Sequence, residues 1–79
     1  MQIINRAALA AQLAAQARLT QGQADSALQA LEKLVVLRIK RGDCIQLDGF
    51  GLFERIEREP GRQVLIFRPH RSVNEEMNR

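Results

Sequence analysis

The chain has no tryptophan and no tyrosine, and only three phenylalanines, two prolines, one histidine and one cysteine among its 79 residues. With Cys44 alone, no internal disulfide can form, which fits a reducing cytoplasm and excludes a small secreted scaffold held by bridges. Cys44 reads instead as a small buried hydrophobe on a strand, not as a nucleophile. His70 has no second imidazole to share a metal or a proton, and Pro69 beside it points to a cap or turn at a helix start. The glycines of Gly49-Phe50-Gly51 lack both the spacing and the Lys-Ser/Thr ending of a phosphate-binding loop. The expectation is therefore no catalytic residue, no metal and no cofactor. Long apolar runs are also missing. Crossing a bilayer takes about 20 apolar residues in a row, so no membrane partner is expected.

What is present is a globular composition with a basic balance: 46% hydrophobic, 27% charged, a formal charge of +3 and a pI near 10.0. That excludes a disordered tail and favours an anionic partner, although the excess is mild. A chain of this size is one domain, and it buries only about 60% of the surface it exposes when unfolded. Its stability is expected to need help.

Arg6 followed by AALAAQLAAQA, with Ala15-Gln16-Ala17 imitating a cleavage site, resembles a signal peptide at first glance. Gln12 and Gln16 interrupt the run at i, i+4 spacing while Leu9 and Leu13 share another face, which is the arrangement of an amphipathic helix. Asn5 is its candidate N-cap, and a first helix is predicted over 6–17. Thr20-Gln21-Gly22-Gln23 is a capping box, so a second helix starts there and runs to about 41, with Gly42 closing it and basic residues in its last turn.

Leu34, Val35, Val36, Leu37 and Ile39 point almost all round the axis of that second helix. A helix of this kind must be covered on several sides. One short helix and three strands from the same chain do not suffice, so the economical cover is a second copy of the chain, and a homodimer is expected.

After Gly42 the period changes to two. Residues 44–47 form a short strand, Asp48-Gly49 begins a turn, and a second strand runs to about 58. Phe50 and Phe53 lie three apart, so Gly51 is expected to mark a bulge that brings both rings to the core. Glu59-Pro60-Gly61-Arg62 fits a type II turn, residues 63–67 return as a third strand, and a short helix occupies about 71–78, with Ser72-x-x-Glu75 as a competing capping box.

Between Arg55 and Arg71 stand five arginines, Arg55, Arg58, Arg62, Arg68 and Arg71, against Glu57 and Glu59, a local +3 equal to the excess of the whole chain. The guanidinium fork suits phosphate and tolerates desolvation better than an ammonium. The bland alternative is a solvated strand face on which Arg55, Glu57, Arg58 and Glu59 pair among themselves.

The order of elements, with RLTQGQADSALQAL at 18–31, IKRGDCIQLDGFGLFE at 39–54 and FRPHRSV at 67–73, resembles the HU and integration host factor family of bacterial nucleoid-associated, DNA-bending proteins. The three segments together span nearly the whole chain. The resemblance implies an α+β fold of two N-terminal helices, a three-stranded antiparallel sheet and a short C-terminal helix, built as an intertwined homodimer. It divides the single domain into a helical dimerisation part at about 5–42, a β-saddle at about 43–68 and a C-terminal helix at about 71–78. It also implies two β-ribbon arms whose tip proline wedges between base pairs in the minor groove. Here the returning strand follows Arg58 almost at once and no Arg-Asn-Pro occurs, so the chain reads as a shortened member lacking the arm. Arg58 matches a basic position of the family's saddle, and Arg68 and Arg71 match the basic residues flanking its last helix. Ile56 stands where the family often has arginine, with Arg55 as a substitute if the strand is bulged. His70 replaces a glycine, and Asp48 places a carboxylate near the expected path of flanking DNA.

The resulting expectation is a bacterial or phage DNA-binding dimer in the cytoplasm, at the nucleoid. It would dock double-stranded DNA weakly and without sequence preference through Arg55, Arg58, Arg62, Arg68 and Arg71, and bend it little or not at all. The alternative keeps the dimer body as a protein-interaction module that binds a partner protein or pairs with an arm-bearing relative. Enzyme activity is not expected.

Overall fold

The computed structural model describes residues 1–79. The elements follow in the order α1 (Arg6–Ala17), α2 (Gln21–Lys40), β1 (Ile45–Leu47), β2 (Gly51–Glu59), β3 (Arg62–Pro69) and α3 (Arg71–Met77). Three helices and one antiparallel sheet in the order β1-β2-β3 make this the expected α+β class. No helix is long and apolar enough to cross a membrane. The chain forms two compact units, Met1–Leu34 and Val35–Arg79, divided within α2.

In the first unit, local signals set the helix bounds. The Asn5 side chain accepts from the Ala8 amide at 2.9 Å and starts α1. Thr20 Oγ1 accepts from the Gln23 amide at 3.0 Å while the Gln23 side-chain oxygen accepts from the Thr20 amide at 2.9 Å, so the capping box is closed in both directions. Between the helices Arg18 adopts a left-handed conformation, φ 58°, in the place where glycine commonly ends a helix. The two helices approach through small side chains. Ala10, Ala14 and Ala24 are buried, with Leu13 and Leu28 packed against them.

In the second unit, α2 ends in a Schellman motif. The Gly42 amide donates to the Ile39 carbonyl and the Asp43 amide to the Arg38 carbonyl, both at 3.0 Å. Gly42 takes φ +92°, which a side chain would resist. The register of the sheet is regular from Gly51 opposite Pro69 to Glu57 opposite Gln63, then shifts so that Glu59 faces Arg62. Arg58 is the extra residue. Gly61, at φ +81°, completes the expected turn after Pro60.

Two sequence expectations need correction. The bulge was expected at Gly51, but that residue pairs regularly and the irregularity lies at Arg58. Nor does Phe50 reach the core, since it is 47% exposed; it precedes β2, in a turn closed by its amide donating to the Leu47 carbonyl at 2.9 Å, and so escapes the strand's alternation. Both rings then meet Phe67, with centroids 5.0 Å away for Phe50 and 4.8 Å for Phe53. Cys44, expected as a buried strand residue, is exposed and lies just before β1.

Candidate nucleic-acid interface

Alternation along β2 and β3 sorts the charged residues by face. Phe53, Arg55 and Glu57 share one face with Gln63, Leu65 and Phe67, and Leu52, Glu54 and Ile56 share the other with Val64, Ile66 and Arg68. Because β2 is regular around Ile56, Arg55 lies on the opposite face from it and does not stand in for it. Arg55 Nη1 instead donates to the Lys40 carbonyl at 3.1 Å. A guanidinium there satisfies one of the last open carbonyls of α2 and meets the negative end of the helix dipole.

The other four arginines differ in what holds them. Arg58, on the bulge, and Arg62, after the turn, are exposed and make no ion pair with Glu57 or Glu59. The Glu57 carboxylate is occupied by the Gln63 side-chain amide, which donates to it at 3.1 Å. The mutual pairing of Arg55, Glu57, Arg58 and Glu59 that would have made this a self-neutralised strand is therefore not formed. Arg68 Nε donates to Glu54 Oε2, a charge-assisted pair on the Leu52 face. Arg71 pairs with Glu75 one turn along α3 at 3.7 Å, but its side chain is 90% exposed and the contact is loose.

His70 is the cap that its neighbour Pro69 suggested. Its Nδ1 accepts from the Ser72 amide at 3.1 Å and starts α3. The hydroxyl oxygen of Ser72, the rival cap, lies 2.8 Å from the same His70 Nδ1 and 3.1 Å from the Gly49 carbonyl, to which it can donate. The His70 amide donates to the Phe50 carbonyl at 2.8 Å, so the turn before β2 and the start of α3 are tied at two points and Arg71 has a fixed base. Gly51 lies buried beneath this junction, because a Cβ there would stand 2.5 Å from Phe67 Cζ and 2.6 Å from the Arg68 carbonyl. The glycine is required by close approach. Asp48 lies exposed in the turn that precedes it.

The geometry therefore places Arg58 and Arg62 at the hairpin end and Arg71 at the first position of α3, holds Arg68 on a carboxylate and sets Arg55 against the Lys40 carbonyl. Sequence reading missed Glu54. Period-two alternation puts Glu54 and Ile56 on one face, but only the β2–β3 register shows that Arg68 shares it.

The profile of the family described as "Bacterial DNA-binding protein" matches residues 4–64. Among solved structures, a point mutant of HU from Thermotoga maritima aligns with a TM-score of 0.82 at 25% identity, covering 92% of this chain and 97% of that one. The HU chain of an Anabaena HU–DNA cocrystal structure aligns with a TM-score of 0.83 at 26% identity, covering 92% of this chain and 96% of that one. No curated protein sequence gives a match. With a profile match across both long helices and most of the hairpin, and the same arrangement of helices and strands as these HU structures, the chain belongs to the HU family of bacterial DNA-binding proteins.

Proposed function

We propose that the 79 residues act as one domain of an intertwined homodimer that binds double-stranded DNA through its phosphates, without sequence preference. The observation that carries the reading is the hairpin that reverses at Pro60-Gly61 with Arg58 and Arg62 free of any carboxylate. Family membership and the likeness to HU in its DNA cocrystal support the choice of partner. Dimerisation is supported by what one chain leaves uncovered. Leu31, Leu34, Val36 and Leu37 of α2 are between 42% and 60% exposed, and no large side chain is fully buried. A helix this apolar needs a second surface.

Arg58, Arg62 and Arg71 are the main phosphate contacts, Arg68 contributes less because Glu54 holds it, and Arg55 serves the fold. A short hairpin has no ribbon to follow the groove and no wedge to unstack base pairs. Few contacts then remain to offset a bending cost of order 1 to 6 kcal/mol. The dimer leaves the duplex nearly straight.

Titration of a labelled duplex at several salt concentrations tests the proposal. If Arg58, Arg62 and Arg71 of both protomers each reach a phosphate, the dimer neutralises roughly six and log K falls against log salt with a slope of about −5.4. Replacing Arg58 or Arg62 by alanine weakens binding to unrelated sequences alike, since phosphate contacts read no base. Arg55→Ala lowers thermal stability and leaves the slope unchanged. Absence of binding at low salt would overturn the DNA reading and favour a protein partner. Energy transfer between dyes on the duplex ends tests bending, and a large approach of the ends on saturation contradicts the straight duplex.

A further inference from the structure

Resting on the DNA reading above, we infer that Glu54 is an electrostatic restraint on binding, because it holds Arg68 away from phosphate. The two residues lie on the same sheet face, Glu54 opposite Ile66 and Arg68 opposite Leu52, so apolar neighbours flank the pair. The Glu54 side chain is 22% exposed and that of Arg68 is 62% exposed. The carboxylate is thus the more desolvated partner and the less screened by salt. Giving Arg68 to a phosphate would leave this carboxylate unpaired and beside a second anion. Both consequences oppose transfer. Arg58 and Arg62 face no such competition, and the Arg71 pair is long and solvent-exposed.

The restraint has a particular signature. Neutralising Glu54 removes a negative charge and also frees an arginine, whereas neutralising another carboxylate of the same strand removes charge alone. Glu57 provides that control, because its partner is the uncharged Gln63. Duplex affinity is measured from low to moderate salt for wild type, E54Q, E57Q, R62Q, R68Q and the double variant E54Q/R68Q, with folding checked by circular dichroism. E54Q is expected to bind several-fold tighter than wild type, and to steepen the salt slope by about 0.9 for each Arg68 that reaches a phosphate. E57Q is expected to bind slightly tighter with an unchanged slope. R68Q changes the wild type little but removes the gain in the E54Q background. Should E54Q not fold, E54A carries the same prediction.

Equal effects of E54Q and E57Q, or an R68Q loss as large as that of R62Q, would overturn the restraint while leaving DNA binding intact. Binding by neither wild type nor E54Q at low salt would remove both readings.

Discussion

The first unit, Met1–Leu34, ties Arg6 and both of its carboxylates into one internal network, whereas the second, Val35–Arg79, holds most of the arginines and leaves several without a carboxylate. Arg6 of α1 donates to Asp25 at 3.1 Å and stands 3.6 Å from Glu32, and the second oxygen of Asp25 accepts from Gln29 at 2.6 Å. This network satisfies itself, and only Arg18 and Lys33 of the unit stand outside it, exposed and without a carboxylate. The second unit has Arg58 and Arg62 without carboxylate partners and Arg71 in a loose one. The difference shows a division of labour in one small chain, with helices closing on themselves through alanines and caps while the sheet carries the charge that reaches outward. Both units share one deficit, since neither buries a large side chain completely.

That deficit yields the largest expected effect. Leu34, at the end of the first unit, is 52% exposed in the single chain and is assigned above to the dimer contact. Leu34→Glu would place an unpaired charge in that contact, at a cost of about 3 to 5 kcal/mol. Sedimentation equilibrium should then show loss of the dimer, with unfolding at the same concentration. If wild type sediments as a folded monomer at micromolar concentration, the exposed leucines have no such role, and the common deficit of the two units requires another explanation.

A smaller effect is expected when only the second unit is disturbed. In Gly51→Ala the added methyl meets the Phe67 ring and the Arg68 carbonyl, and the backbone atom cannot swing away. The cost is about 1 to 3 kcal/mol, the usual range for overpacking. Because Phe67 also holds Phe50 and Phe53, amide exchange should quicken across β2 and β3 more than across α1. Equal acceleration in both units would mean that they open together and that the comparison describes packing only, not stability.

The helices were legible in the sequence because their signals are local. Asn5, Thr20 with Gln23, and Gly42 act within a turn or so of their own positions, and each does what its residue type implied. The turns at Gly49 and Gly61 were legible for the same reason. The misread features depend on register, which joins residues far apart in the chain. Whether Gly51 or Arg58 is the extra residue, and which arginine meets Glu54, follows only once β2 is aligned on β3. Arg55 was read as a binding residue by composition, and its contact with the Lys40 carbonyl, on a different element, was not legible there. A count of arginines indicates the chemistry of the segment. It does not show which of those arginines are free.

The smallest expected effect sharpens the account of the first unit. Arg18 ends α1 at φ 58° and ψ 46°, with its amide donating to the Ala14 carbonyl, and Leu19 donates to the same carbonyl at 3.0 Å. The hydrogen bonding suits a helix end, but the residue is not glycine. Left-handed backbone costs a side-chain-bearing residue about 1 to 2 kcal/mol, and glycine avoids this while losing about 0.5 to 1 kcal/mol through its freer unfolded chain. Arg18→Gly should therefore stabilise the protein by about 0.5 to 1 kcal/mol, raising the melting midpoint by about 2 to 8 °C for a domain of this size. Arg18 makes no ion pair, and it lies in the unit to which no phosphate contact is assigned. Its loss should consequently leave the salt slope of DNA binding unchanged. A stabilised variant whose slope becomes shallower by about one phosphate contact would show that the helical unit also touches DNA, and would end the division of labour between the two units.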